Sequence, residues 1–370
     1  MYKEIHTKKR RKLFRLRRSK VKTIAVAFGL VGFLIIGYVA FSIFSSKHLP
    51  TVKIGGMDLQ KNAFLKFFYK TSDASGKEVV VTAEKVIEET KDNFIFEKVT
   101  SNFMLSNDET GTITSNFGKV IRGNRSVCEF RDNVVMTTKS GMLLRTDIAV
   151  FDSEKSIISG DSRINITKEE TKLSADKYIF NTEKNILTLT QNAKAYNKNR
   201  DVTADELTIA LDNDNDDSVK QLIASGNAFL MSADYDLSAK DSLIYEQNKI
   251  KATKDVELIY KKDGKNLNVK SNRMDAFLND KSDIKEIFAD GNVIIKTKDS
   301  VVKANHAVYK DSNKVIASGN VVISKEQGDI FGEEAELDIN TENVVVKKSS
   351  GIVEANSGNA NNKRKNKGQS

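Results

Sequence analysis

A short motif that returns seven times along the chain constrains the fold more than any other feature. The central Asn or Asp of the copies stands at positions 133, 161, 192, 227, 255, 292 and 320, so neighbouring copies are 28 to 37 residues apart. Repetition at this interval indicates a stack of one supersecondary unit. The clear copies are Ile158–Ile164, Ala224–Leu230, Ala289–Ile295 and Ala317–Ile323, and the weaker ones are Phe130–Met136, Leu189–Ala195 and Ala252–Leu258.

Apolar and polar residues alternate within each copy. At positions −5, −3, +1 and +3 from the central residue, 26 of 28 side chains are apolar, the exceptions being Ser156 and Ser162. The positions between them are apolar in only 11 of 35 cases. A period of two predicts a strand with one buried face. The glycine before the central residue in four copies, at 160, 226, 291 and 319, predicts a bend or bulge where the strand turns a corner.

Each repeat is long enough for about two strands and their turns, which predicts an all-β protein. We expect stacked antiparallel hairpins with loops of variable length. A right-handed β-helix or adhesin-like repeat is the alternative, although its coils are usually shorter and more uniform than the unequal intervals found here.

The positive charge of the chain is concentrated at its start. Residues 1–22 contain eleven Lys and Arg and one acid, Glu4, which leaves 48 basic and 49 acidic residues in the remainder. This distribution argues against a nucleic-acid-binding surface. The next segment, Thr23–Phe44, has 22 uncharged residues, and as a helix of about 33 Å it would cross a hydrocarbon core of about 30 Å. Because it exceeds the apolar core of a cleaved signal peptide, we predict a retained single-pass anchor with a cytoplasmic N-terminus.

Few residues could support chemistry. The chain has one cysteine, Cys128, which we interpret as a small buried side chain, and three scattered histidines, His6, His48 and His306. No nucleophile motif or phosphate-binding loop is present, so we predict a protein that is not an enzyme and has no cofactor. The acidic run 212–217 lacks the glycine and the final glutamate of a calcium loop, and we interpret it as a solvated hairpin loop without a metal.

The repeat, with strands of the type φ-x-A-[D/N] between its copies, resembles the OstA-like repeat of lipopolysaccharide-transport proteins. The segment Phe68–Ala83 resembles the opening of the periplasmic domain in the LptC family. It keeps the family pattern at Asp73, Gly76, Lys77, Val81, Thr82 and Ala83 and departs from it at Glu78 and Val79. LptC relatives usually have a shorter periplasmic part, and the additional repeats resemble LptA, so a fusion of the two types is one interpretation.

The resemblance implies an elongated open β-jelly roll of stacked antiparallel hairpin repeats that follows the N-terminal transmembrane helix. It also implies a bridge protein without enzymatic activity. It would accept lipopolysaccharide from an inner-membrane ABC transporter and pass it through an apolar β-groove towards the outer membrane. Its protein partners would be that transporter and a periplasmic LptA-like or outer-membrane LptD-like jelly roll. A membrane-tethered structural or adhesive β-repeat protein is the alternative function. The expected organisation is 1–22 cytoplasmic, 23–44 transmembrane, 45–62 linker, 63–211 LptC-like jelly roll, 212–355 OstA/LptA-like continuation and 356–370 disordered tail.

Two sets of candidate site residues follow from the alternation and the resemblance. For the lipid-binding groove the candidates are Phe130, Val134, Met136, Ile158, Ile164, Leu187, Leu189, Leu222, Leu230, Ile250, Val256, Leu258, Ile287, Val293, Ile295, Val321 and Ile323. For the strand edges that would pair with partner jelly rolls they are Val79 and Val81 at the beginning and Val344, Val345 and Val346 at the end.

Overall fold

The protein divides into two compact units, Met1–Ala252 and Thr253–Ser370. The computed structural model describes residues 51–349 except 59–62, 73–77, 91–92, 105–109, 122–126, 140, 153–154, 156, 182–183, 199, 212–218, 262–266, 280–282, 298, 311–313, 327, 340 and 342. The predicted cytoplasmic segment, membrane helix, C-terminal tail and acidic loop 212–217 therefore lie outside the described residues, as does most of the predicted linker. Among the described residues there is no helix long and apolar enough to cross a membrane.

The first unit is built from antiparallel strands. They are β1 (Thr51–Lys53), β2 (Gly56–Asp58), β3 (Ala63–Ser72), β4 (Glu78–Thr90), β5 (Asn93–Met104), β6 (Thr110–Ile121), β7 (Val127–Thr138), β8 (Leu143–Asp152), β9 (Ile157–Gly160), β10 (Ile164–Lys168), β11 (Thr171–Ala175), β12 (Lys177–Asn181), β13 (Ile186–Asn197), β14 (Arg200–Leu211), β15 (Val219–Ser225), β16 (Ala228–Ser232), β17 (Tyr235–Ala239) and β18 (Ser242–Glu246). The division between the units falls inside β19 (Lys249–Tyr260).

The second unit continues with strands of the same type. They are β20 (Leu267–Leu278), β21 (Ile284–Lys296), β22 (Val301–Lys310), β23 (Lys314–Lys325), β24 (Gly328–Asp338) and β25 (Val344–Ser349). From β20 to β25 each strand pairs with the next in antiparallel order. The predicted all-β, antiparallel class is thus confirmed for the described part of the chain.

In β7, β13, β21 and β23 the pairing register shifts at the repeat's central residue. Gly226, Gly291 and Gly319 have left-handed φ values of 72°, 76° and 78°, and the asparagine after each is also left-handed. At Gly291 and Gly319 the pairing register shifts, which marks a β-bulge, whereas at Gly226 the strand is divided into β15 and β16. The predicted corner is confirmed at these three glycines.

The fourth glycine of the motif, Gly160, serves a different purpose. A Cβ atom there would stand 2.4 Å from the carbonyl oxygen of Ile148 and 2.5 Å from the ring of Tyr178. The Tyr178 hydroxyl donates a hydrogen bond to the same oxygen at 2.8 Å. Glycine is therefore required at 160 because a buried ring and a backbone approach closely, a packing requirement that the motif does not reveal.

The corner asparagines also explain the φ-x-A-[D/N] pattern that recurs between the copies of the repeat, in which Ala is followed by Asp or Asn. Asn227 donates a side-chain hydrogen bond to Asp205 at 3.0 Å, and Asn192 donates one to Asp176 at 2.6 Å. Each of these aspartates directly follows an inward-facing alanine, Ala204 or Ala175, on an earlier strand. At these two corners the central asparagine of the repeat and the aspartate that follows the alanine form one contact.

The apolar faces predicted from the alternation point inward. In both units the inward side chains on either side of the corner are buried, so the two halves of each strand enclose an apolar interior. Burial of these side chains is the main contribution to the free energy of folding, since a fully buried aliphatic side chain contributes about 1.5–3 kcal/mol.

Candidate functional site

An apolar cavity of ≈ 340 Å³ lies at the beginning of the first unit. This volume is at the lower end of the range of about 300–1,000 Å³ that is typical of ligand pockets. The cavity is formed by β3 to β7. It is lined by Phe64, Phe67, Tyr69, Val81, Val86, Phe94, Phe96, Val99, Gly118, Lys119, Val120, Cys128 and Phe130.

Aromatic rings form much of the cavity wall. Phe67 stacks on Tyr69 with the ring centroids 6.5 Å apart and meets Phe96 edge-on at 5.9 Å. These three side chains are only partly buried, because one side of each ring borders open space. Aromatic rings bury a large area while losing little conformational freedom, so such a wall suits an apolar ligand.

One glycine helps to keep the cavity open. Gly118 lines it from β6, and a Cβ at this position would lie 3.1 Å from a methyl group of Val99 and 3.5 Å from the Cβ of Phe96. Its φ is not left-handed, so the backbone does not require glycine here. A larger side chain at this position would occupy the cavity.

Charge is confined to one point of the lining. Lys119 is the one charged residue among the lining side chains, and its Nζ pairs with the Oε2 of Glu89 at 3.1 Å. Burial, with a smaller contribution from Glu129, raises the pKa of the Cys128 thiol to about 12, so the thiol stays neutral at physiological pH. This arrangement can hold an apolar chain.

The predicted groove residues are interior but do not all border open space. Of the 17, all are buried except Leu222, which is partly exposed, and only Phe130 lines the cavity. The others pack against neighbouring side chains, so their contact with lipid stays a prediction. The alternation test missed the aromatic residues of β3 and β5 because it began at the first motif copy, although Phe67 and Tyr69, and Phe94 and Phe96, have the same period of two.

The predicted partner edges occupy different positions in their sheets. Val79 and Val81 lie in β4, which is paired with β3 on one side and β5 on the other, so this strand is not an edge. β1 and β2 pair with β3 in front of it. Val344, Val345 and Val346 lie in β25, for which the described residues show pairing with β24 alone.

Across the described strands and loops, no cluster of three or more His, Cys, Asp or Glu is placed to hold a metal ion. His306 pairs through Nδ1 with the Oδ1 of Asp290 at 2.5 Å on the exposed surface of the second unit.

Antiparallel strands that turn at glycine–asparagine corners around an apolar interior make the described part of the chain an all-β protein. Residues 61–198 match the family described as "Lipopolysaccharide-assembly, LptC-related". This segment contains the whole cavity, and the match and the antiparallel sheet together fit an LptC/OstA-like β-jelly-roll protein. A search of the curated proteins gave no match.

Proposed function

We propose that the protein is a component of the bridge that carries lipopolysaccharide between the two membranes of a Gram-negative cell. In this proposal Thr23–Phe44 anchors the chain in the inner membrane with residues 1–22 in the cytoplasm, and the two β units lie in the periplasm. An inner-membrane ABC transporter delivers the lipid, and an LptA-like or LptD-like jelly roll receives it.

The observation that carries the proposal is the aromatic cavity inside the segment that matches the LptC-related family. An acyl chain of about 12 methylenes in water is unfavourable by about 10 kcal/mol, at about 0.8 kcal/mol for each methylene. Such a chain needs an apolar path across an aqueous compartment. The cavity offers a first binding position, and the buried side chains beyond it would have to separate to let the acyl chain advance.

The proposal assigns partner contacts to the strand edges. The beginning of the first unit, where β1 and β2 cover β3, would meet the jelly roll of the transporter. The open side of β25 would pair with the next jelly roll, because an unpaired strand is a template for strand addition.

Site-specific photo-cross-linking tests the proposal. A photoreactive residue at Phe96, which lines the cavity, should capture lipopolysaccharide in cells. The same probe at Lys98, an exposed residue of the same strand, should not. Equal labelling at both positions would show that lipid only touches the surface. Absence of labelling at Phe96 in a folded protein would favour the structural or adhesive alternative.

A further inference from the structure

One buried hydroxyl group beside the cavity has no hydrogen-bond partner in the described part of the chain. It belongs to Ser101 on β5, a residue that is 1% exposed and whose Oγ meets neither a donor nor an acceptor. An unpaired buried polar group lowers the stability of a protein, so such groups are rare and each has a specific reason. Ser101 therefore marks a place where the interior is prepared for something other than its own packing.

Other buried hydroxyl groups of the interior are paired within their own strands. Ser115 on β6 donates a hydrogen bond to the carbonyl oxygen of Phe117 at 3.0 Å. Thr146 on β8 donates in the same way to the carbonyl oxygen of Ile148 at 3.3 Å. In both cases a backbone acceptor two residues further along the strand satisfies the hydroxyl. Ser101 makes no such bond, so the local backbone does not account for a serine at this position.

Ser101 lies directly behind the lining of the cavity. It is paired with Val81 on β4, and Val99 stands two positions earlier on the same face of β5. Both valines line the cavity. Paired side chains on one face of a sheet have Cβ atoms about 4.5–5.5 Å apart, and rotation about χ1 moves a serine hydroxyl between staggered positions. A ligand atom at this end of the cavity can therefore come within hydrogen-bond distance of the Ser101 Oγ.

The surroundings of the hydroxyl restrict the ligand group that could pair with it. Strand pairing continues the inward row from Tyr69 and Val81 through Ser101 to Ile113 and Met136. Ile113 and Met136 are fully buried. A charged headgroup would lose its hydration among these side chains without an ion-pair partner. The group that fits is an uncharged oxygen carried on an otherwise apolar chain.

We propose that Ser101 is a specificity-determining residue, which selects an acyl chain that carries a hydroxyl group along its length. A serine hydroxyl offers one donor and two acceptor sites, and a ligand hydroxyl can use either kind. A plain methylene chain would leave the Ser101 Oγ unpaired, while the aromatic and aliphatic lining holds the methylenes of both chains equally. The inference rests on the proposed function in taking the cavity as a lipid site, and it adds the chemical class of chain that the site prefers.

Competition binding to the full chain tests the inference. The protein is kept soluble in amphipol, and a bound fluorescent fatty acid is displaced by tetradecanoic acid or by hydroxytetradecanoic acids. These carry the hydroxyl near the carboxyl end, at mid-chain or near the methyl end. At least one of them should bind about two- to tenfold more tightly than tetradecanoic acid, as expected for one neutral hydrogen bond. Ser101→Ala should remove this preference.

Thermal melts of the variants supply a second measurement. Ser101→Ala removes an unpaired buried hydroxyl, so its melting temperature should equal or exceed that of the wild type. Ser115→Ala is the matched control, because it removes a buried hydroxyl that is paired. Its melting temperature should fall, while the preference for a hydroxylated acid is kept.

The possible failures separate this inference from the proposed function. Equal affinity for all the acids, or a preference that persists in Ser101→Ala, would overturn the inference and leave the lipid site in place. A marked loss of stability in Ser101→Ala would also overturn it, since the hydroxyl would then serve the fold. Failure of the fluorescent fatty acid to bind at all would contradict the proposed lipid site, and the inference with it.

Discussion

At the scale of single residues, two glycines show how different requirements produce the same residue type. Gly226 has a left-handed φ of 72°, and a Cβ there would stand 2.4 Å from the Oδ2 of Asp205. Gly118 has no such backbone constraint, and instead leaves space in the cavity wall. The first glycine therefore serves the fold and the second serves the site, so their substitution should affect different measurements.

We expect Gly226→Ala to destabilise the first unit. A left-handed conformation costs a non-glycine residue about 1–2 kcal/mol, and the contact with Asp205 adds to this cost. The apparent free energy of unfolding, followed by circular dichroism in urea, should fall by at least that amount. Gly56→Ala is the matched control, since its nearest neighbours would be 3.9 Å away. A Gly226→Ala variant as stable as the wild type would contradict this account of the corner.

The second residue prediction concerns Gly118→Leu, which should fill the cavity. Overpacking costs about 1–3 kcal/mol, so the melting temperature should fall modestly while the fold is retained. Capture of lipopolysaccharide by a photoreactive residue at Phe96 should fall several-fold. Thr114→Leu, at an exposed position of the same strand, should leave capture unchanged. If lipid capture persists with leucine at 118, the cavity is not where the lipid binds.

At the scale of elements, the strands were predictable and the cavity was not. Alternation specifies which face of a strand is buried, and the glycine–asparagine pairs specify corners, because both follow from local stereochemistry. Whether an interior is filled or open depends on the volumes of side chains from five strands, and Phe67 and Phe96 meet only in the folded sheet. The sequence also did not reveal that β4 lies inside the sheet and not at its edge. The strands β1 and β2, which precede β3 and pair with it, have three residues each, too few to show a period of two.

The C-terminal edge supports a prediction about backbone hydrogen bonds. The amide of Asp338 donates to the carbonyl of Asn343 at 3.0 Å. Hydrogen-bonded pairs alternate along an antiparallel ladder, and Glu336 is paired with Val345. The Val345 amide therefore faces β24, while the amides of Val344 and Val346 face the open side. Proline at 346 would remove a donor from the open edge, whereas proline at 345 would remove one from the pair with β24.

Val346→Pro should accordingly abolish capture of the next jelly roll in a pull-down and leave the melting transition of the other strands in place. Val345→Pro is the contrasting variant, because it should also detach β25 from β24 and lower the stability of the second unit. Undiminished capture by a folded Val346→Pro protein would show that this edge is not the partner contact.

At the scale of the whole molecule, the proposed anchor and topology would give the chain a direction from the inner membrane outward. The charge of residues 1–22 contrasts with a near-neutral remainder, and the positive flank of a membrane segment stays in the cytoplasm. An aromatic cavity close after the anchor would then be the first apolar space that a lipid leaving the inner membrane meets. The cavity comes first along the chain, and the buried interior positions of the later strands follow it.

Photo-cross-linking along the chain should reveal that order. Lipopolysaccharide should be captured at Phe96 and Phe130 in the cavity and then at the interior positions Leu189, Leu230 and Leu258, while the outward residues Arg131 and Lys251 stay unlabelled. Depleting the ABC transporter should remove labelling at all interior positions together. Labelling that persists at the later positions after depletion would mean that lipid enters the interior by another path.

The last prediction concerns the anchor, Thr23–Phe44, on which this direction depends. Leu34→Arg would place a charge near the bilayer centre at a cost of about 2.5–3.5 kcal/mol, so membrane insertion should be reduced. A periplasm-dependent reporter fused after residue 60 should be active in the wild-type chain and weakened by Leu34→Arg. Leu34→Ile, which keeps the segment apolar, should retain full activity. If instead only a cytoplasm-dependent reporter fused at the same position is active, the topology is the reverse of the proposed one. The β units could then not carry lipid across the periplasm.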